Sequence, residues 1–315
     1  MKRKAIIFGI KGTKLTFKEI NLLKKHKPWG VILFSRNIKN IEQLKNLTKK
    51  IRNILKDKKY PIMVDQEGGT VSRLNAILDL SIFSQGYFGQ IYKQDKKKFF
   101  IYYKVYINKI CDILKYVGIN INTVPVLDVK RSKSHKIIGN RSFSSNPNIV
   151  KKIGNLCIDI YMKNKVGTVI KHIPGHGLSK EDSHFKIPTI KEKIENLKKI
   201  DFKPFEKSKS FFGMTAHIIY KEIDPDNTAT HSKTLIHKII RNNINFKGLL
   251  ISDDLSMKAL KYSLELNALK ALRAGCNLVL HCNGNIREMS KLAKIIPTID
   301  NFTKKKTSQF YKFLR

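Results

Sequence analysis

The feature that most restricts the fold is a rhythm in which a short apolar run is followed by an amphipathic stretch. The runs are Ala5–Ile10, Gly30–Ser35, Pro61–Asp65, Ile121–Val126, Val166–Ile170, Phe212–Ala216, Gly248–Ser252 and Asn277–His281. They are rich in Ile, Val and Leu with little polar alternation, as strands buried on both faces are. Between and after them the spacing predicts helices over Thr16–His26, Ile41–Leu55, Lys97–Tyr116, Ile149–Asn164, Ile194–Phe205, Lys233–Asn242, Met257–Ala274 and Ile286–Ile296. In the second of these Ile41, Leu44, Leu47, Thr48, Ile51 and Leu55 share one helical face, and Asn40 stands where an N-cap belongs. Eight strand–helix units predict an α/β fold, a single-domain (β/α)8 TIM barrel over residues 1–300, and 315 residues suit such a barrel with insertions. Residues 301–315 read as a lysine-rich C-terminal tail able to dock Phe310 and Phe313 on the barrel. A doubly wound open sheet is the alternative. It expects a glycine-rich phosphate loop after the first strand, and GIKGTKL is a poor match.

A barrel makes a demand on residue placement, because its catalytic groups stand at the C-terminal strand ends. Asp65 ends the third run, Asp128 lies just past the fourth, and Lys171 and His172 follow the fifth. His217 follows the sixth, and Asp253 and Asp254 the seventh. If strand ends only marked the start of solvent, lysine would stand there as often as aspartate and histidine in this lysine-rich chain.

The stretch KHIPGHGLSKEDSH, Lys171 to His184, has three histidines, and Pro174, Gly175 and Gly177 break regular structure, so a long functional loop is expected. Asp182, two residues before His184, can orient its imidazole and stabilise the imidazolium. Zinc would need a completed tetrahedral set, and neither a thiolate nor a tight histidine pair supplies one, so the loop is read as free of metal. Asp253, at the mouth of a buried run, offers a carboxylate for covalent or electrostatic catalysis, while Asp254 points elsewhere and is a candidate cap for the next helix. Asp65 and Glu67 precede a Gly-Gly turn and Arg73; Asp65 either accepts from two sugar hydroxyls or caps a helix. Arg141, in GNRSF, either grips ligand oxygens or pairs with a strand-end acid. Lys171 and His172 are donors for a polar ligand, with Asp65 or Asp128 as the alternative partner of Lys171.

The formal charge is +38, yet only ten of the 62 basic residues are arginine, and the lysines are spread along the whole chain. Nucleic-acid surfaces cluster Arg and Lys with aromatics on one face, so no specific nucleic-acid partner is expected, only non-specific adhesion at low salt. Cys111, Cys157, Cys276 and Cys282 lack paired spacing and read as free thiols of a reducing compartment. No run approaches the ~18 apolar residues of a membrane span, and the first apolar run is too short for a signal-peptide core. A cytoplasmic monomer is expected.

Seven segments then fall into place together: DQEGGTVSRL, PVLDV, GNRSFSSNP, KHIPGHGLSKEDSHFKIP, MTAHIIY, KGLLISDDLSM and AGCNLVLHCN. In this order and spacing they resemble the bacterial β-N-acetylhexosaminidases of glycoside hydrolase family 3. The resemblance implies a retaining exo-β-N-acetylglucosaminidase with no cofactor, Asp253 as nucleophile and His184 as general acid/base held by Asp182. It implies that Asp65, Arg73, Arg141, Lys171 and His172 bind the N-acetylglucosamine ring. Its implied substrates are 1,6-anhydro-muropeptides (GlcNAc-anhydroMurNAc with or without peptide) of cell-wall recycling. Thr70 stands where the family usually has Arg, Ser144-Ser145 where it has Gly and an acid, and Ile173 where it has Phe. These departures leave a catalytically weakened barrel, binding a sugar or a polyanion, as the alternative.

Overall fold

The computed structural model describes residues 2–131, 138–179, 187–257 and 260–315. In chain order the first elements are β1 (Lys4–Gly9), α1 (Phe17–His26), β2 (Pro28–Leu33), α2 (Ile41–Leu55), β3 (Ile62–Val64), α3 (Gln85–Gln94), α4 (Lys96–Tyr116) and β4 (Ile121–Asn122). Then come α5 (Pro147–Lys163), β5 (Gly167–Ile173), β6 (Thr189–Ile190), α6 (Ile194–Lys199), β7 (Phe212–Thr215) and β8 (Ile219–Tyr220). A π-helical segment, Leu235–Asn243, leads to β9 (Leu249–Asp254), α7 (Leu264–Ala274), β10 (Leu278–His281), α8 (Ile286–Ile295) and α9 (Asn301–Phe313).

Eight strands close a parallel barrel in the order β1-β2-β3-β4-β5-β7-β9-β10, with β10 returning to β1. This is the expected (β/α)8 barrel. All of β2, β3, β5, β7 and β10 is buried, which explains why those runs lack a polar face. The short β6 and β8 pair separately, parallel to one another, beside the rim. Local sequence sets the helix starts: Thr16 and Glu19 form a capping box, and Asn40 accepts from Gln43 N as expected.

Four segments depart from the spacing. The helix expected from Met257 begins at Leu264, with Ser263 as its cap; Asp254 instead accepts from Ser256 N and Cys282 N. Helix α6 stops at Lys199, and Pro204 opens a separate turn, because proline favours a first-turn position over a helix interior. Helix α3 was not expected, since its two glycines lower helix propensity. Residues 301–313 form α9, capped by Asp300 Oδ1 through Thr303 N. Its Phe310 is wholly buried against Phe211 and Phe212, and Thr307 Oγ1 accepts from Trp29 Nε1 at 2.9 Å, so α9 packs on the strand starts, opposite the C-terminal strand ends. Among the described residues no helix is long and apolar enough to cross a membrane.

Candidate active site

Parallel strands bring their C-terminal ends to one rim, and a pocket opens there among Phe34, Asp65, Arg73, Thr123, Arg141, Lys171, His172, His176, Met214, Asp253 and Cys282. Its electrostatics begin with Lys171, an ammonium buried in β5. A lone buried charge would be strongly unfavourable. Two carboxylates answer it, Asp65 Oδ1 at 2.5 Å and Glu67 Oε1 at 2.6 Å. Each carboxylate meets a second cation: Arg73 Nη2 donates to Asp65 Oδ2 at 2.9 Å, and Arg141 grips Glu67 through Nε and Nη2, both at 2.8 Å. The Thr123 hydroxyl also donates to Asp65 Oδ1.

Burial alone would raise the Asp65 carboxyl, but Lys171 and Arg73 outweigh it and hold it well below the carboxylate range. Glu67 is likewise lowered, burial being overcome by Arg141 and Lys171. Both carboxylates therefore stand ionised. Arg73 reaches Asp65 because Gln66 ties the intervening loop: its Oε1 accepts from Arg73 N at 2.6 Å and Leu74 N at 2.9 Å. The turn at Gly68 (φ +92°) has no room for a side chain, since a Cβ would lie 2.2 Å from Phe83 O.

A second network aims His172. Buried Asp128 takes His172 Nδ1 on Oδ2 at 2.8 Å and the backbone N–H of His176 on Oδ1 at 2.6 Å. With Nδ1 so engaged, Nε2 is the nitrogen left for the pocket. Asp128 is held low, its burial offset by His172 and His176. Across the barrel His217 Nδ1 meets Thr230 Oγ1 at 2.8 Å and Nε2 meets the Asp254 carbonyl at 3.1 Å. Burial pushes the His217 imidazole down. Asp253, at the end of β9, accepts from Asp254 N at 2.8 Å. Burial opposes its ionisation, yet His172 and His217 beside it hold its carboxyl below the ordinary range.

The match to known proteins is consistent with this geometry. The family model described as the glycosyl hydrolase family 3 N terminal domain matches residues 7–309. A beta-hexosaminidase of Idiomarina loihiensis is 33% identical over 299 residues, 94% of this chain and 88% of the relative. One from Alkalilimnicola ehrlichii is 34% identical over 283 residues, covering 88% and 80% of the two chains. The crystal structure of native NagZ from Neisseria gonorrhoeae superposes with a TM-score of 0.88 at 29% identity, over 100% of this chain and 90% of that one. The chain belongs to glycosyl hydrolase family 3.

In this family 3 barrel, Asp65, Arg73, Arg141, Lys171, His172 and Asp253 line one pocket although up to 188 positions separate them in the sequence (253 − 65). Asp182 and His184 lie outside the described residues. Lys171 pairs with Asp65 and Glu67, not with Asp128, which serves His172. Arg141 makes an ion pair with Glu67 and still lines the pocket. Asp65 caps no helix; its oxygens go to Lys171, Arg73 and Thr123. Sequence reasoning left Glu67 without a role and missed Thr123, whose signal is a hydroxyl within an apolar strand run. Among the described residues no group of three or more His, Cys, Asp or Glu is arranged to hold a metal ion. Chemically, the charged network offers acceptors and donors to several hydroxyls at once, while Asp253 presents an ionised oxygen to the same space.

Proposed function

We propose that this family 3 hydrolase is a retaining exo-β-N-acetylglucosaminidase that removes terminal N-acetylglucosamine from peptidoglycan fragments, the 1,6-anhydro-muropeptides, in the cytoplasm and as a monomer. Its β-N-acetylhexosaminidase activity is the one its relatives' names carry. The observation that supports the reading most is Asp253: a partly buried carboxylate kept ionised, in one pocket with Asp65, Arg73, Arg141, Lys171 and His172.

Asp253 attacks the anomeric carbon and forms an ester with the sugar as the bond to the leaving oxygen breaks. His184, its imidazolium stabilised by Asp182, gives its proton to that oxygen. Neutral His184 then takes a proton from water as the water oxygen attacks the anomeric carbon, and Asp253 leaves as carboxylate. A histidine suits both steps, because free imidazole titrates near ~6.5. The lactyl and peptide carboxylates of muropeptides complement a chain of net charge +38.

Aryl-group release from an aryl β-N-acetylglucosaminide, beside the matching β-glucoside, tests the reading. Turnover of the first substrate alone, abolished by Asp253→Ala, is expected. A wild type that binds N-acetylglucosamine but turns over neither substrate would make it a sugar-binding barrel instead.

A further inference from the structure

Asp201 is a buried carboxylate for which the reaction above has no task. It lies just beyond α6, is 1% exposed, and neither of its oxygens has a hydrogen-bond partner among the described residues. Arg131 Nη1 is 3.8 Å from Oδ2, close enough for charge attraction and too far for a hydrogen bond. A buried acid left in this state destabilises a fold, so its retention asks for a reason.

Its surroundings supply one. Asp201 packs beneath the turn Gly175–Gly177: a Cβ on Gly175 would lie 2.9 Å from the Asp201 carbonyl oxygen, and one on Gly177 would lie 3.3 Å from Oδ1. From the other side the Tyr220 hydroxyl donates to Gly175 O. The turn delivers the His176 N–H to Asp128, and Asp128 fixes His172 Nδ1. Arg131 stands three residues beyond Asp128 on the same strand exit. Asp201 thus touches both halves of the device that holds His172, the turn directly and the Asp128 segment through Arg131.

We infer that Asp201 is a positioning residue for His172 that works as a carboxylate, drawing Arg131 and the Asp128 segment against the Gly175–Gly177 turn, and that its protonation slackens this clamp. The inference rests on the reading of this pocket as a site of saccharide hydrolysis. Among the described residues the charged and titratable groups facing Asp201 are Arg131 and Asp128 after β4, Glu192 before α6, and Tyr220 on β8. Burial lifts the Asp201 carboxyl, Arg131 opposes, and Asp128 and Glu192 add to the lift, leaving it at about 7. The proton therefore exchanges near neutrality.

Two measurements on Asp201→Asn, an isosteric neutral side chain, decide the matter. The first is kcat/KM for an aryl β-N-acetylglucosaminide against pH. The wild type should lose activity as pH falls through about 7. The variant should lack that limb and stay roughly tenfold below the wild-type plateau, KM changing more than kcat, as when a partner of a ligand-holding side chain is removed. Arg131→Met should move the wild-type limb to higher pH, since it removes the cation that lowers Asp201.

The second is melting temperature against pH, which needs no turnover. A folded carboxyl raised above its unfolded value of ~4 favours the fold in its protonated state, so that stability is full below ~4 and is lost as pH rises through the folded value. Asp201→Asn should melt with the wild type at pH ~4 and increasingly above it up to pH ~8. A variant that keeps the wild-type acid limb, or melts below the wild type at pH ~8, overturns the inference. Should the wild type turn over no substrate, the hydrolase reading falls, and unchanged N-acetylglucosamine affinity in Asp201→Asn would overturn the positioning role as well.

Discussion

One buried ammonium decides the charge pattern of the pocket. Lys171 draws Asp65 and Glu67 to within 2.6 Å, and those acids in turn orient Arg73 and Arg141. Lys171→Met leaves two carboxylates facing each other without their shared cation, a change of the kind that costs about 3–5 kcal/mol. The pH dependence follows with a definite sign. Both carboxyls are depressed, so their stabilisation is present above the unfolded value of ~4 and is lost as pH falls below it. Lys171→Met should therefore melt lower at neutral pH and unfold in acid at a higher pH than the wild type; an unchanged acid midpoint would refute the shared-cation account. At this scale the strand exits singled out Asp65, Lys171, His172 and Asp253, and the fold brings them into one pocket. The sequence could not show their partners: Asp65 and Asp128 were equal candidates for Lys171, and only the barrel register assigns one to Lys171 and the other to His172.

Helix α3 shows how an element can serve the site without touching it. Gly89 packs so close to the Arg141 loop that a Cβ would sit 1.8 Å from Phe143 O. Gln85 Nε2, on the same helix, donates to the carbonyls of Val126 and Arg141. Gly89→Ala must push α3 from that loop, an overpacking that costs about 1–3 kcal/mol. The expected result is a lower melting temperature with a raised KM for the aryl substrate, whereas a variant of wild-type KM would separate α3 from the placement of Arg141. The same glycines that permit this approach hid α3 from a reading by helix propensity. The late start of α7 was hidden differently, because Asp254 and Ser263 are both good caps and only the structure gives Asp254 to Ser256 and Cys282.

At the scale of the whole molecule, repetition made the barrel legible: eight buried runs with helices between them leave few other closed arrangements. Helix α9 was less visible, since its lysines mask the spacing of Thr303, Thr307 and Phe310, which face the strand starts. The net charge of +38 belongs to this scale as well. Carried by lysines spread along the whole chain, it predicts adhesion to unrelated DNA at low salt that is lost by about 200 mM salt, because affinity from phosphate contacts falls steeply with salt. Retained binding at that salt in a filter or polarisation assay would point to an organised polyanion surface.

The central claim is that Asp253 forms a bond to the sugar, and the most direct measurement weighs that bond. His184→Ala, mixed with an aryl β-N-acetylglucosaminide, should release the aryl group and then stall, since no base activates the water. Intact mass spectrometry should find the protein heavier by one N-acetylglucosaminyl group, on the peptide containing Asp253. An unmodified protein with slowed release of the aryl group and no burst, together with an Asp253→Ala variant that still turns over at the wild-type rate, would contradict the account.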